Sequence, residues 1–169
     1  SEADLGNRVR VTCAGAEYRG RGRNTLWRGR ARFAGNRIVR FERFNHWNRE
    51  RLFEQQGSDT VLWHAITTGN IMGFDAWLER GDGNVVIDTN RGSLSIPVGS
   101  LASDGTAMEA GGLERSLTVQ RLPVTNPHKD FVVERTVVLD KTAGDNAIWI
   151  RVTTEDGHRA WTSPVYLTN

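Results

Sequence analysis

Cysteine is almost absent from this chain: Cys13 stands alone among 169 residues. An internal disulfide is excluded, and so is any site built on several cysteine ligands. Lysine is nearly missing as well, with Lys129 and Lys141 as its only representatives. No apolar run approaches the roughly 20 residues that a membrane-spanning helix needs. No signal-peptide pattern opens the chain, which starts with Ser rather than Met, and no Asn-x-Ser/Thr sequon occurs. The expectation is a soluble domain cut by processing or cloning from a longer protein. The compartment stays open. A leader on the longer protein would send it to the periplasm or outside the cell.

Catalytic signatures are equally scarce. Four histidines are present, His46, His64, His128 and His158, none in His-x-His, His-x3-His or Glu-x-x-His spacing. A zinc site needs three or four converging ligands, and nothing in the spacing gathers them. There is no Gly-x-Ser-x-Gly elbow. Adjacent carboxylates such as Glu155-Asp156 fall in turns. Gly20-Arg21-Gly22 lacks the preceding strand and following helix that would aim backbone N–H groups at a phosphate. No catalytic, cofactor-binding or metal-ligating residue is therefore assigned, and no cofactor is expected.

What is present is aromatic and arginine-rich. Six Trp and six Phe supply large buried surfaces. Fully burying one such ring contributes about 4–6 kcal/mol before entropy is charged. The net charge of +2 hides an asymmetry. Residues 1–51 hold thirteen Arg against five acids, and the remainder carries a net −6. That gradient fits either a basic face for anions or charges scattered over the surface.

Period-2 alternation is the recurrent pattern. Arg8–Cys13 directs Val9, Val11 and Cys13 to one side, with Cys13 as a small buried hydrophobe. Trp27–Phe33 sends Trp27, Gly29, Ala31 and Phe33 one way and Arg28, Arg30 and Arg32 the other. A turn at Gly35-Asn36 then returns Ile38–Phe44 as its partner strand. Val61–Thr67 is apolar on both sides, which suggests a central, doubly covered strand with His64 as a core histidine. Gly73–Glu79 leads into Gly81-Asp82-Gly83-Asn84, read as a hairpin turn. Val85–Thr89 and Ser93–Val98 flank Asn90-Arg91-Gly92. Leu113–Arg121 alternates with Arg115 breaking the apolar series. Phe131–Leu139 is rich in β-branched residues. Ile148–Thr154 and Ala160–Leu167 read as a C-terminal hairpin about Asp156-Gly157. Asn48–Gln55 is the best short-helix candidate, or else a loop. About eleven strands with little helix predict an all-β, antiparallel two-sheet β-sandwich, Ig-like or jelly-roll-like. No linker or fixed-period repeat divides residues 1–169, so a single domain is expected.

Three surface features suggest ligands. Arg28, Arg30 and Arg32 form a stripe that could grip a polyanion, helped by Arg19-Gly20-Arg21-Gly22-Arg23. The competing reading is a solvated sheet face whose Arg stems cover apolar surface. Asn45-His46-Trp47-Asn48 places an aromatic ring among amides, as carbohydrate-binding loops do, and Trp47 could equally pack an edge of the sandwich. Arg80-Gly81-Asp82 matches an adhesion tripeptide but is explained by turn chemistry. A small site assembled from His46, His64 and Asp75 is the enzymatic alternative.

The C-terminal run Gly144-Asp145-Asn146-Ala147-Ile148-Trp149-Ile150-Arg151-Val152, followed by Glu155-Asp156-Gly157 and Ala160-Trp161-Thr162-Ser163-Pro164-Val165-Tyr166, carries a resemblance. It is similar to the end of bacterial metal-dependent phosphoesterase-like proteins of the polymerase-and-histidinol-phosphatase (PHP) superfamily, largely a domain-of-unknown-function group. Trp27-Arg28-Gly29 with Gly35-Asn36-Arg37-Ile38 resembles the strand pair opening their C-terminal region. The resemblance spans roughly Val9 to Leu167 and rests on structural motifs. It implies a non-catalytic accessory domain that packs on an N-terminal catalytic domain of the same polypeptide. The metal-binding motifs of that catalytic part are absent here, so no catalytic residue carries over. The alternative is an independent carbohydrate- or polyanion-binding module using Arg28, Arg30, Arg32, His46 or Trp47.

Overall fold

The computed structural model describes residues 5–18, 24–45, 52–125, 132–140, 142, 144–154 and 159–168. The chain forms two compact units, 1–127 and 128–169.

The first unit is a pair of five-stranded antiparallel sheets. Sheet A runs in the order β3 (Ile38–Phe44), β6 (Ile71–Leu78), β1 (Leu5–Ala16), β10 (Leu113–Pro123), β9 (Thr106–Glu109). Sheet B runs β4 (Leu52–Gln56), β5 (Thr60–Thr67), β2 (Thr25–Ala34), β7 (Asn84–Thr89), β8 (Gly92–Pro97). A 3-10 turn, Val98–Ser100, follows β8.

Alternation dictates what each sheet turns inward. Sheet A contributes Val9, Val11, Cys13, Met72, Phe74, Ala76, Leu117 and Val119, all buried. Sheet B contributes Trp27, Ala31, Phe33, Phe53, Val61, Trp63, Ala65, Val85 and Ile87. The centre of the core is aromatic. The Trp63 ring lies 5.8 Å from Phe74 and stacks at 6.5 Å on Phe53. Gly29 pairs with Trp63 across β2 and β5, and a Cβ there would run into the indole. The small residue in the Trp27–Phe33 alternation is thus the socket for a Trp on the next strand. Trp27 donates its indole N–H to Thr67 Oγ1 at 2.9 Å, so a buried ring nitrogen is satisfied within the core.

Two turn signals act differently from their expected role. Ile38–Phe44 does not return alongside Trp27–Phe33: both edges of β2 are already taken, by β5 and β7, and β3 pairs with β6 in the other sheet. Likewise Gly81-Asp82-Gly83-Asn84 joins β6 in sheet A to β7 in sheet B and is no hairpin. Both links are corners between sheets, and they brace each other. Asn36 donates to the Arg80 and Asp82 carbonyls at 2.8 and 2.7 Å and accepts from the Arg80 N–H. Gly83 takes φ +87°, and a Cβ there would meet the Ala34 carbonyl.

Other expectations are corrected too. Of the helix-or-loop candidate Asn48–Gln55, residues 48–51 lie outside the described residues and Leu52–Gln56 is strand, paired along β5. β9 pairs antiparallel along β10. β5 has one buried face only: Leu62 and Ile66 are half-buried on its outer side, and His64 is exposed rather than in the core. Arg115 breaks the apolar series because it faces inward, where its guanidinium pairs with Glu17 and Nε donates to the Ala110 carbonyl at 2.8 Å.

The second unit is a two-stranded ribbon. β11 (Asp145–Ile148) pairs with β14 (Val165–Thr168), and β12 (Arg151–Thr153) with β13 (Arg159–Trp161). The expected C-terminal hairpin is present, interrupted where Ile150 and Thr162 exchange two hydrogen bonds. Residues 132–140 form no strand, although their sequence favours one. β-branched propensity needs a pairing neighbour to become a strand.

Candidate functional site on the outer face of sheet B

Arg28, Arg30 and Arg32 all point outward from β2 and are exposed. Their surroundings differ. Arg30 sits opposite Asp88 on β7 and Leu62 on β5. Arg32 has Thr60 and Val86 as neighbours, and Arg28 has His64. Directly opposed side chains have Cβ atoms about 5 Å apart, so Asp88 offsets the charge of Arg30 and no acid does so for Arg28 or Arg32. The face as a whole carries three Arg against Glu54 and Asp88. That near balance suits a single anionic group better than a long polyanion.

Arg28 is held firmly at its backbone. Its N–H donates to Asn90 Oδ1 at 2.8 Å, and its carbonyl accepts from the Asn90 N–H at 2.9 Å. Register places Leu52, His64 and Arg28 in one row across β4, β5 and β2, with Glu54, Leu62 and Arg30 in the next. Between these rows lies a shallow depression of about 320 Å³, its lining mostly apolar, with Leu52 and Leu62 beside Arg28, Glu54 and His64.

Sheet A presents a different outer face, which the sequence does not disclose. Arg10 is buried there and grips Asp75 with two bonds, Nε to Oδ1 at 2.7 Å and an amino group to Oδ2 at 2.9 Å. Arg8 adds a contact to the same carboxylate at 3.0 Å. The guanidinium of Arg10 stacks on Phe44 at 4.7 Å, and Trp77 lies between Arg8 and Arg40 at 5.0 and 4.3 Å. The only advance signal is an acid inside the apolar strand Gly73–Glu79, facing two arginines of β1. Asp75 is committed to this lattice, and His64 lies on the outside of the opposite sheet. The structure does not bring these two members of the enzymatic alternative together.

Cys13 faces the core. Burial pushes its thiol far up from the ordinary range, with the Trp63 indole pulling weakly the other way. It packs as a small neutral apolar group in the core. Arg80 is consumed by its corner, pairing with Asp82 and donating to the Gly35 carbonyl, so Arg80-Gly81-Asp82 is structural. His46, Trp47, Arg19, Arg21, Arg23, His128 and His158 lie outside the described residues. Among the described residues no group of three His, Cys, Asp or Glu side chains converges to hold a metal, and no helix is long and apolar enough to cross a membrane. Comparison with protein-family models, with curated proteins and with solved structures finds no match.

Proposed function

We propose that this chain is a non-catalytic accessory module that packs on a catalytic domain of a longer, metal-dependent phosphoesterase-like polypeptide. One observation carries the reading. The ribbon at residues 145–168 leaves Trp149, Ile150, Val152, Trp161, Val165 and Tyr166 exposed. An isolated two-stranded hairpin is marginal in water, and apolar surface of this density is characteristic of protein contact sites. The exposed side chains belong to the segment that carries the resemblance to the C-terminal ends of phosphoesterase-like proteins. Arg10–Asp75 and the aromatic core make the first unit a rigid platform, and the ribbon is the element left to dock.

The test is association in trans. The chain is mixed with the separately expressed upstream domain and followed by sedimentation velocity. Association is expected for the natural chain and is expected to be lost in a Trp149→Ser/Trp161→Ser variant that keeps its β-sheet circular dichroism. Failure to associate, or equal association by the variant, would refute the reading.

A polyanion is a weaker second reading, because Asp88 and Glu54 interrupt the arginine stripe. Binding that collapses between about 50 and 200 mM salt would be its signature.

A further inference from the structure

We infer that the depression on sheet B is a binding site for a carboxylate carried on a short apolar body, an acyl or aryl acid. The inference is independent of the accessory reading and concerns the opposite end of the sequence.

Two halves of the site match two halves of such a ligand. The charged half is Arg28. Its guanidinium is exposed and has no hydrogen-bond or ion-pair partner among the described residues. Its backbone is fixed on both sides by Asn90, so the fork is presented from a rigid strand. A planar guanidinium matches a carboxylate with two parallel N–H···O bonds. The His64 imidazole, directly opposite on β5, supplies a further donor within the same row.

The apolar half is Leu52 and Leu62, diagonal neighbours on β4 and β5 that line the depression. Leu52 is 47% exposed, a large apolar side chain in the same row as Arg28. Covering it would remove apolar surface from water at about 25 cal/mol per Å².

The acids nearby set the selectivity. Glu54 lines the same depression from β4, two strands and one row from Arg28, so it repels negative charge at the apolar end and leaves the Arg28 end as the place for a carboxylate. Asp88 is closer, one strand and one row away at about 8 Å, and is held by a hydrogen bond from Ser93. It opposes a second negative charge placed toward Arg30. The site therefore favours one negative charge at Arg28, followed by a body that runs over Leu62 toward Leu52.

The experiment is a heteronuclear NMR titration of the whole chain with octanoate, with octan-1-ol as the neutral control. Octanoate is expected to shift amides of β2, β4 and β5 saturably, with half-saturation near about 1 mM, as suits about ten non-hydrogen atoms on an open surface. Octan-1-ol should bind at least tenfold more weakly. Arg28→Ala should weaken octanoate at least tenfold, and Arg32→Ala, on the same strand face, should leave it unchanged. Equal binding of the alcohol, an unaffected Arg28→Ala variant, shifts confined to other strands, or no saturable shift would each overturn the site. None of those results bears on the association of residues 145–168 with a catalytic domain.

Discussion

Gly29 and Trp63 show how much of this fold turns on single atoms. The indole occupies the volume a β-carbon at position 29 would need. Gly29→Ala must push Trp63 off Phe53 and Phe74, and overpacking of this kind costs about 1–3 kcal/mol. Urea denaturation should show that loss, and a variant as stable as the natural chain would mean the ring sits elsewhere. Asp75 is a second such position. With two guanidinium groups on one buried carboxylate, Asp75→Ala removes the ion-pair partner of a buried Arg10 and should lose roughly 3–5 kcal/mol. The Arg10→Met/Asp75→Leu double variant should recover most of it, because apolar replacement removes the desolvated charges together. A double variant no better than the single one would contradict the assigned pairing. Alternation made Arg28, Arg30 and Arg32 legible as outward and Trp27, Ala31, Phe33 and Cys13 as inward. It did not reveal that Arg10 and Arg115 are buried, because burial of an arginine depends on a partner, Asp75 or Glu17, more than 60 residues away.

Most turns and strands were legible as elements, and several of their pairings were not. Gly35-Asn36 and Gly81–Asn84 carry hairpin chemistry, yet both cross between sheets. The residues that permit a positive φ serve a corner as well as a hairpin; what decides is which strand edges remain open. By contrast, Asn90-Arg91-Gly92 and the residue 145–168 ribbon pair locally and follow their sequence patterns. β4 escaped notice because Leu52–Gln56 buries Phe53 alone, and one inward residue sets no period. Among the described residues, every member of the main core belongs to the first unit. Residues 1–127 should therefore fold without the rest. A chain ending at Pro127 is expected to keep its β-sheet spectrum and a thermal midpoint within a few degrees of the full chain, given that about 1 kcal/mol shifts such a midpoint by roughly 2–8 °C. Failure of the shortened chain to fold would show that residues 128–169 complete the core.

At the scale of the molecule, the sandwich separates three tasks. The aromatic interior fixes the two sheets against each other. The outside of sheet A is closed by its own arginines, Asp75 and Trp77. Among the described residues, the outside of sheet B keeps Arg28 without an ion-pair partner beside Leu52 and Leu62, while the C-terminal ribbon displays apolar residues. Such a distribution suits a module that is rigid where it is packed and unfinished where it meets something else. Hydrogen exchange tests this most directly, measured on residues 1–169 alone and joined to the catalytic domain we propose. Amides of β1, β2, β5, β6, β7 and β10 should exchange slowly in both, and those of residues 145–168 should exchange fast alone and slowly in the longer protein. A ribbon already protected in the isolated chain, or unprotected in both, would contradict the account.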